Sequence, residues 1–160
     1  GTTPVTLANT YIRMFRGVVL TVGSGATGTN IGNLTVSIVT VGTVAIYITA
    51  GDGQTQQAIY TIPAGKSGFF IKGYVSMSNA NKNGEDATFK WLMRLNNGAT
   101  GAWQTKGQIS LVNIGSSWWQ YEYGVPAGMI PEKTDIRIRC SAASATVGAE
   151  CGFDLILIDD

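Results

Sequence analysis

The tripeptide Gly65-Lys66-Ser67 carries the last three residue types of a phosphate-binding loop, G-x-x-x-x-G-K-[ST]. Such a loop cradles phosphate oxygens with backbone N–H groups between a strand and a helix. Here the position of the first glycine is Tyr60, and Pro63 has no N–H to offer. The residues that follow, "GFFIKGYVSM", alternate as a strand and do not open a helix. With both halves of the cradle missing, Pro63, Ala64 and Gly65 read as a tight turn joining two strands, and Lys66 as an exposed turn charge.

The other chemistry-bearing residues are few. The chain has no histidine, which removes the usual general base near neutral pH and the commonest metal ligand. Cys140 and Cys151 fall short of the four ligands of a structural zinc site, and no histidine is present to activate a cysteine nucleophile. They read as two reduced core thiols or as a cross-strand disulfide, the former being plainer. The turn "AGDGQT" offers calcium a single carboxylate, Asp52, and "NGED" (83–86) is little better. No cofactor or metal is implied.

Glu122 lies in "WWQYEY" (118–123), the most aromatic segment. A paired carboxylate would make it a candidate for glycoside hydrolysis, but none stands beside it at an obvious strand spacing. On a strand, Trp118, Gln120 and Glu122 share one face and Trp119, Tyr121 and Tyr123 the other. One set is expected in a core or interface. Exposed aromatics there would stack on sugar rings, with Trp118, Tyr121 and Tyr123 in a groove. Arg13, Arg16, Arg94, Arg137 and Arg139 are interspersed along strands. They read either as ordinary cross-strand pairs or as an intersubunit seam with Asp135 and Asp154.

The elements that hold these residues are strands throughout. Short apolar runs alternate with period two and are broken by Gly, Asn and Pro, the pattern of an antiparallel sandwich. The expected strands are 11–22, 32–41, 44–50, 56–62, 67–78, 87–96, 102–113, 117–125, 134–142 and 149–158. Residues 1–9 read as a flexible arm and 10–160 as one domain. Phe69, Ile71, Val75 and Met77 form one expected apolar stripe; Phe89, Trp91, Met93 and Leu95 form another. Ile136, Ile138 and Cys140 share a face, as do Cys151, Phe153, Leu155 and Leu157. A hairpin around "SAASATVG" would set Cys140 opposite Cys151 and Arg137 opposite Asp154.

The 160 residues carry 11 basic and 10 acidic side chains, and charged residues are 13% of the chain, about half the ~25% usual for globular domains. A basic footprint for nucleic acid is absent, and no apolar run approaches the ~18 residues of a membrane helix. Nothing reads as a signal peptide. A surface so poor in charge is suited to being covered by another subunit.

Four segments together, "TNIGNLTV" (29–36), "ITAGDGQTQQAIYTIPAGKSGFFIKG" (48–73), "MIPEKTDIRIRC" (129–140) and "GFDLILID" (152–159), resemble structural proteins of tailed bacteriophages, notably marine ones. The resemblance implies a virion-associated, jelly-roll-like β-sandwich, oligomeric and without catalytic residues. The combined expectation is a non-enzymatic virion structural or decoration-type protein. It would assemble with itself, a trimer being the first guess, or dock on other virion proteins. Trp118, Trp119, Tyr121 and Tyr123 would form the contact surface, with Arg137 and Arg139 secondary. The alternative is a carbohydrate-binding module for host adhesion.

Overall fold

The computed structural model describes residues 4–9, 14–24, 28–38, 42–78, 85–95, 101–113, 116–122, 128–142 and 147–160. The described chain is all-β and antiparallel, with nine strands and no helix. It groups into two compact units, 1–57 and 58–160, although the sequence pattern drew no boundary inside 10–160.

In the first unit, β1 (Leu34–Ser37) pairs with β2 (Val44–Ile48). The expected strand 11–22 does not form over its described residues. Only Val18 makes an isolated bridge, to Gln54. The loops are organised by Asn30, whose buried amide donates to the carbonyls of Gly32 and Thr49, each at 2.9 Å, and accepts the Gly53 N–H at 2.9 Å. The "AGDGQ" stretch is a glycine turn, with Gly51 at φ 91° and Gly53 at φ 67°. Those angles favour glycine over any residue with a Cβ.

The second unit holds two sheets. One has the order β3 (Ile59–Thr61), β8 (Asp135–Ala142), β5 (Glu85–Arg94), β6 (Gln104–Asn113). The other has the order β7 (Ser116–Glu122), β4 (Lys66–Ser78), β9 (Gly148–Asp159). Their inner faces pack on each other as a sandwich. Val75 and Met77 from β4 bury against Ala87 and Phe89 from β5 and Leu111 from β6. A second cluster joins Ile62, Phe70, Ile130 and Ile136.

The stripe Phe89, Trp91 and Met93 faces inward as expected, while Leu95 lies beyond the strand and is exposed. The stripe Phe69, Ile71, Val75, Met77 is half right. A β-bulge between Phe70 and Lys72 inserts one residue, so inward positions switch from even to odd along β4. Phe70, not Phe69, therefore enters the core.

The expected β8–β9 hairpin is overturned. β8 pairs with β3 and β5, whereas β9 pairs with β4 in the other sheet. Arg137 accordingly registers with Ile59 and Leu92, and Asp154 with Lys72. The face assignments survive because Cys140 and Cys151 both point into the core, from opposite sheets.

The turn at 63–65 joins β3 to β4. Gly65 takes φ 70°, and its N–H donates to the Glu132 carboxylate at 2.7 Å. That bond and Lys133 hold the Glu132 carboxyl below its usual pKa. Lys66 opens β4 and pairs with its registered neighbour Asp159, so it belongs to a ladder and is not a turn charge.

Candidate functional site: an aromatic platform on the three-stranded sheet

Strand β7 is an edge strand, and its alternation sends its two aromatic sets to different places. Trp119 registers with Val75 and packs on the core; Tyr121 stacks on it, ring centroids 5.8 Å apart and planes 13° from parallel. Trp118 registers with Ser76 on the outer face and is 71% exposed. Trp118 and Tyr121 thus lie on opposite faces, so the expected groove combining them does not form. Tyr123 lies outside the described residues.

The outer face supplies Trp118 with a different aromatic companion. Tyr74, 42% exposed, projects from β4 beside Gln120 of β7 and Gly152 of β9. A Cβ on Gly152 would meet the Tyr74 ring, 2.4 Å from its hydroxyl and 2.5 Å from Cζ. The tyrosine therefore lies across the bare glycine, flat along the sheet. Its registered position is diagonal to Trp118, a spacing of ~7–8 Å in an antiparallel pair.

Next to Trp118, a depression of about 370 Å³ is lined by Ser76, Ser78, Gly148 and Glu150. Its floor is low because Gly148 has no side chain: a Cβ there would sit 2.6 Å from the Ser78 hydroxyl. Two aromatic surfaces with hydroxyl, amide and carboxylate groups between them suit a ligand with apolar ring faces and a polar rim.

The same face reveals a partner for Glu122 that the sequence did not. Glu122, Lys72 and Asp154 form one cross-strand row. The carboxylates sit two strands apart, ~9–10 Å by strand spacing, near the upper limit for inverting glycosidases. Both are exposed, and Lys72 stands between them, where a scissile bond would have to lie.

On the four-stranded sheet, Asp135 is 2% exposed and fully engaged. It accepts from Thr61 Oγ1 at 2.7 Å, from Arg94 Nε at 2.8 Å and from Arg94 Nη2 at 2.6 Å. Arg94 is its registered neighbour, so this is an ordinary cross-strand pair. Trp103 lies against both guanidinium groups, 4.8 Å from Arg94 and 4.0 Å from Arg137. Arg139 is exposed at the next outward position of β8.

Cys140 and Cys151 are free thiols. Burial raises the pKa of both, and proximity to Cys140 raises that of Cys151 further. They are poor nucleophiles as placed. Among the described residues, no group of three His, Cys, Asp or Glu side chains could hold a metal ion.

Comparison with known proteins finds no matching family model, no matching curated protein and no matching solved structure.

Proposed function

We propose that this chain is a non-enzymatic assembly protein of the tailed-phage virion type. In this reading residues 1–57 are covered by a second copy in a homo-oligomer, a trimer being the simplest ring. The observation that carries it is the apolar surface of that unit. Its buried apolar side chains among the described residues are Ile46 and Ile48, whereas Leu20 is 90% and Ile31 74% exposed. A lone two-stranded ladder is marginal in water and needs a further apolar layer. The charge-poor surface is suited to supplying one from a neighbouring subunit. Docking on other virion proteins would use the same surface, and the chain would reside in the particle.

Light scattering over a dilution series tests this reading. An oligomer that persists on dilution, and that dissociates when Leu20 and Ile31 are replaced by Asn, is the expected result. A monomer at every concentration, with mass unchanged by those substitutions, overturns it.

A second reading, glycan adhesion, is favoured by the flat Tyr74–Gly152 arrangement beside Trp118. Sugar rings would stack on Tyr74 and Trp118, with Gln120 and Glu150 reading hydroxyls. Quenching of tryptophan fluorescence by neutral oligosaccharides, lost in Trp118→Ala, supports it. An unchanged signal across a broad panel removes it.

A further inference from the structure

The outer face of the four-stranded sheet concentrates cations in a chain that has few. Of the 11 Lys and Arg residues, Arg137, Arg139 and Lys90 stand together there. Lys90 is the registered neighbour of Arg139, so two like charges face each other directly across a ladder. Opposed like charges destabilise a sheet, and side chains so paired have Cβ atoms only ~4.5–5.5 Å apart. Arg137 is two residues along β8 on the same face, ~6.6 Å away by strand rise.

Among the described residues, no ion pair neutralises the three. The registered neighbours of Arg137 are Ile59 and Leu92, and Lys90 is flanked on its other side by Gln108. Asp135, the nearest outward carboxylate on β8, is already held by Arg94 and Thr61. The Nε–H of Arg137 is buried and donates to no acceptor. The guanidinium is held in place by Trp103 at 4.0 Å. Burial and the charges of Arg139 and Arg94 all disfavour its cationic form, as expected where positive charge accumulates without counter-charge.

Uncharged hydrogen-bonding side chains lie beside the three cations, and the outward carboxylate of β5, Asp86, is four residues from Lys90, ~13 Å by strand rise. Gln108 and Thr105 flank the cations, and Ser141, Thr88 and Ser110 form the next row, the last two sharing a hydrogen bond of 2.9 Å. Leu92 is buried, and the Trp103 ring already carries two guanidinium groups, so neither serves as a base-stacking platform.

We infer that Arg137, Arg139 and Lys90 form a binding site for an acidic saccharide, in which a sulfate or carboxylate group bridges the cations and the ring hydroxyls meet Gln108, Thr105 and Ser141. Guanidinium groups bind such oxyanions bidentately, and the ligand offsets the Lys90–Arg139 repulsion. A nucleic acid is disfavoured because three cations make a short phosphate track and, among the described residues of this face, no free aromatic ring is present for bases. The site lies on the sheet that does not carry Trp118, so it is independent of the readings above.

The test uses the full chain and a heparin-derived tetrasaccharide in calorimetry at fixed ionic strength, with cellotetraose and oligo-dT of matched length as comparators. The variants are Arg139→Gln and Lys90→Gln, alone and together. The sulfated probe is expected to bind, and the double variant to lose tenfold or more in affinity. Each single variant is expected to melt at or above the parent temperature without ligand, since one of two opposed charges is gone. Unchanged affinity in the double variant, or no binding of the sulfated probe, overturns the site. Oligo-dT binding as tight as the tetrasaccharide overturns the ligand class. A fall in melting temperature in the single variants overturns the unneutralised-charge argument.

Discussion

Replacing Gly73 by Ala tests whether the two sheets meet as closely as described. The glycine lies on the inner face of β4, where an added Cβ would sit 2.8 Å from Trp91 Cζ3, 3.1 Å from Cη2 and 3.2 Å from Phe70 Cζ. Carbon atoms in contact prefer ~3.5–4.0 Å, so the indole must retreat by ~0.7–1.2 Å. It has little room. The Phe70 ring meets it edge-on at 3.8 Å between centroids, and Phe153 stacks 6.5 Å away. Forced overpacking of this kind costs ~1–3 kcal/mol, and the reduced freedom of the unfolded chain returns ~0.4–1 kcal/mol. The net loss is ~1–2 kcal/mol, or ~2–8 °C in Tm for a chain of this length. Calorimetric melting of Gly73→Ala reads it. In a Trp91→Phe background the same substitution should cost less than half as much, because the obstructing ring is smaller. A Gly73→Ala protein as stable as the parent, or an equal cost in both backgrounds, would refute the close approach of Gly73 to Trp91.

Gly152→Ala makes a contrasting case: the added Cβ strikes the solvent-facing end of Tyr74, which swings away, so Tm should move by less than ~2 °C while any saccharide binding at Trp118 weakens. A large fall in Tm would show that Tyr74 is pinned. Asp135→Ala leaves Arg94 facing an empty buried site and should cost about 3 kcal/mol in urea unfolding; a cost below ~1 kcal/mol would contradict the engaged, buried pair. The cysteines give a pH dependence. Their folded pKa values are raised, so the stability they contribute is fully present below the unfolded value of 9.0 and is lost as pH rises toward the folded values. Tm should hold from neutral pH up to that unfolded value, fall above it, and fall less steeply in Cys151→Ala; an alkaline fall unaffected by that substitution would exclude the thiols as its cause.

Much of the fold was legible because the side-chain period of a strand is two. Nine of the ten expected strands correspond to β1–β9, and the inward faces of β5, β8 and β9 follow from alternation alone. Period two assigns a face but not a neighbour. Cys140 and Cys151 therefore fitted a hairpin ladder in pattern, although they meet across the core from different sheets. The bulge at Phe70–Lys72 was equally hidden, since an inserted residue leaves composition and alternation intact on either side of it. At the platform, Trp118 was legible as one face of "WWQYEY", but Tyr74 and Gly152 are distant in sequence and become neighbours only once β7, β4 and β9 are ordered. The Glu122–Lys72–Asp154 row was invisible for the same reason. Residues 14–22 alternate as a strand does, yet they find a ladder partner only at Val18, because alternation cannot supply a neighbouring edge.

The bulge in β4 also divides the interior. Phe70 lies before it and belongs to the cluster with Ile62, Ile130 and Ile136; Val75 and Met77 lie after it and belong to the cluster with Ala87, Phe89 and Leu111. One continuous strand thus feeds two chambers, each with its own parity. Substitutions made in different chambers share few partners and should combine additively, while those within one chamber should couple. Either chamber could then be redesigned while the other is left untouched. Deleting Ile71, by contrast, would put the two halves of β4 in a single phase and set one chamber's side chains facing water.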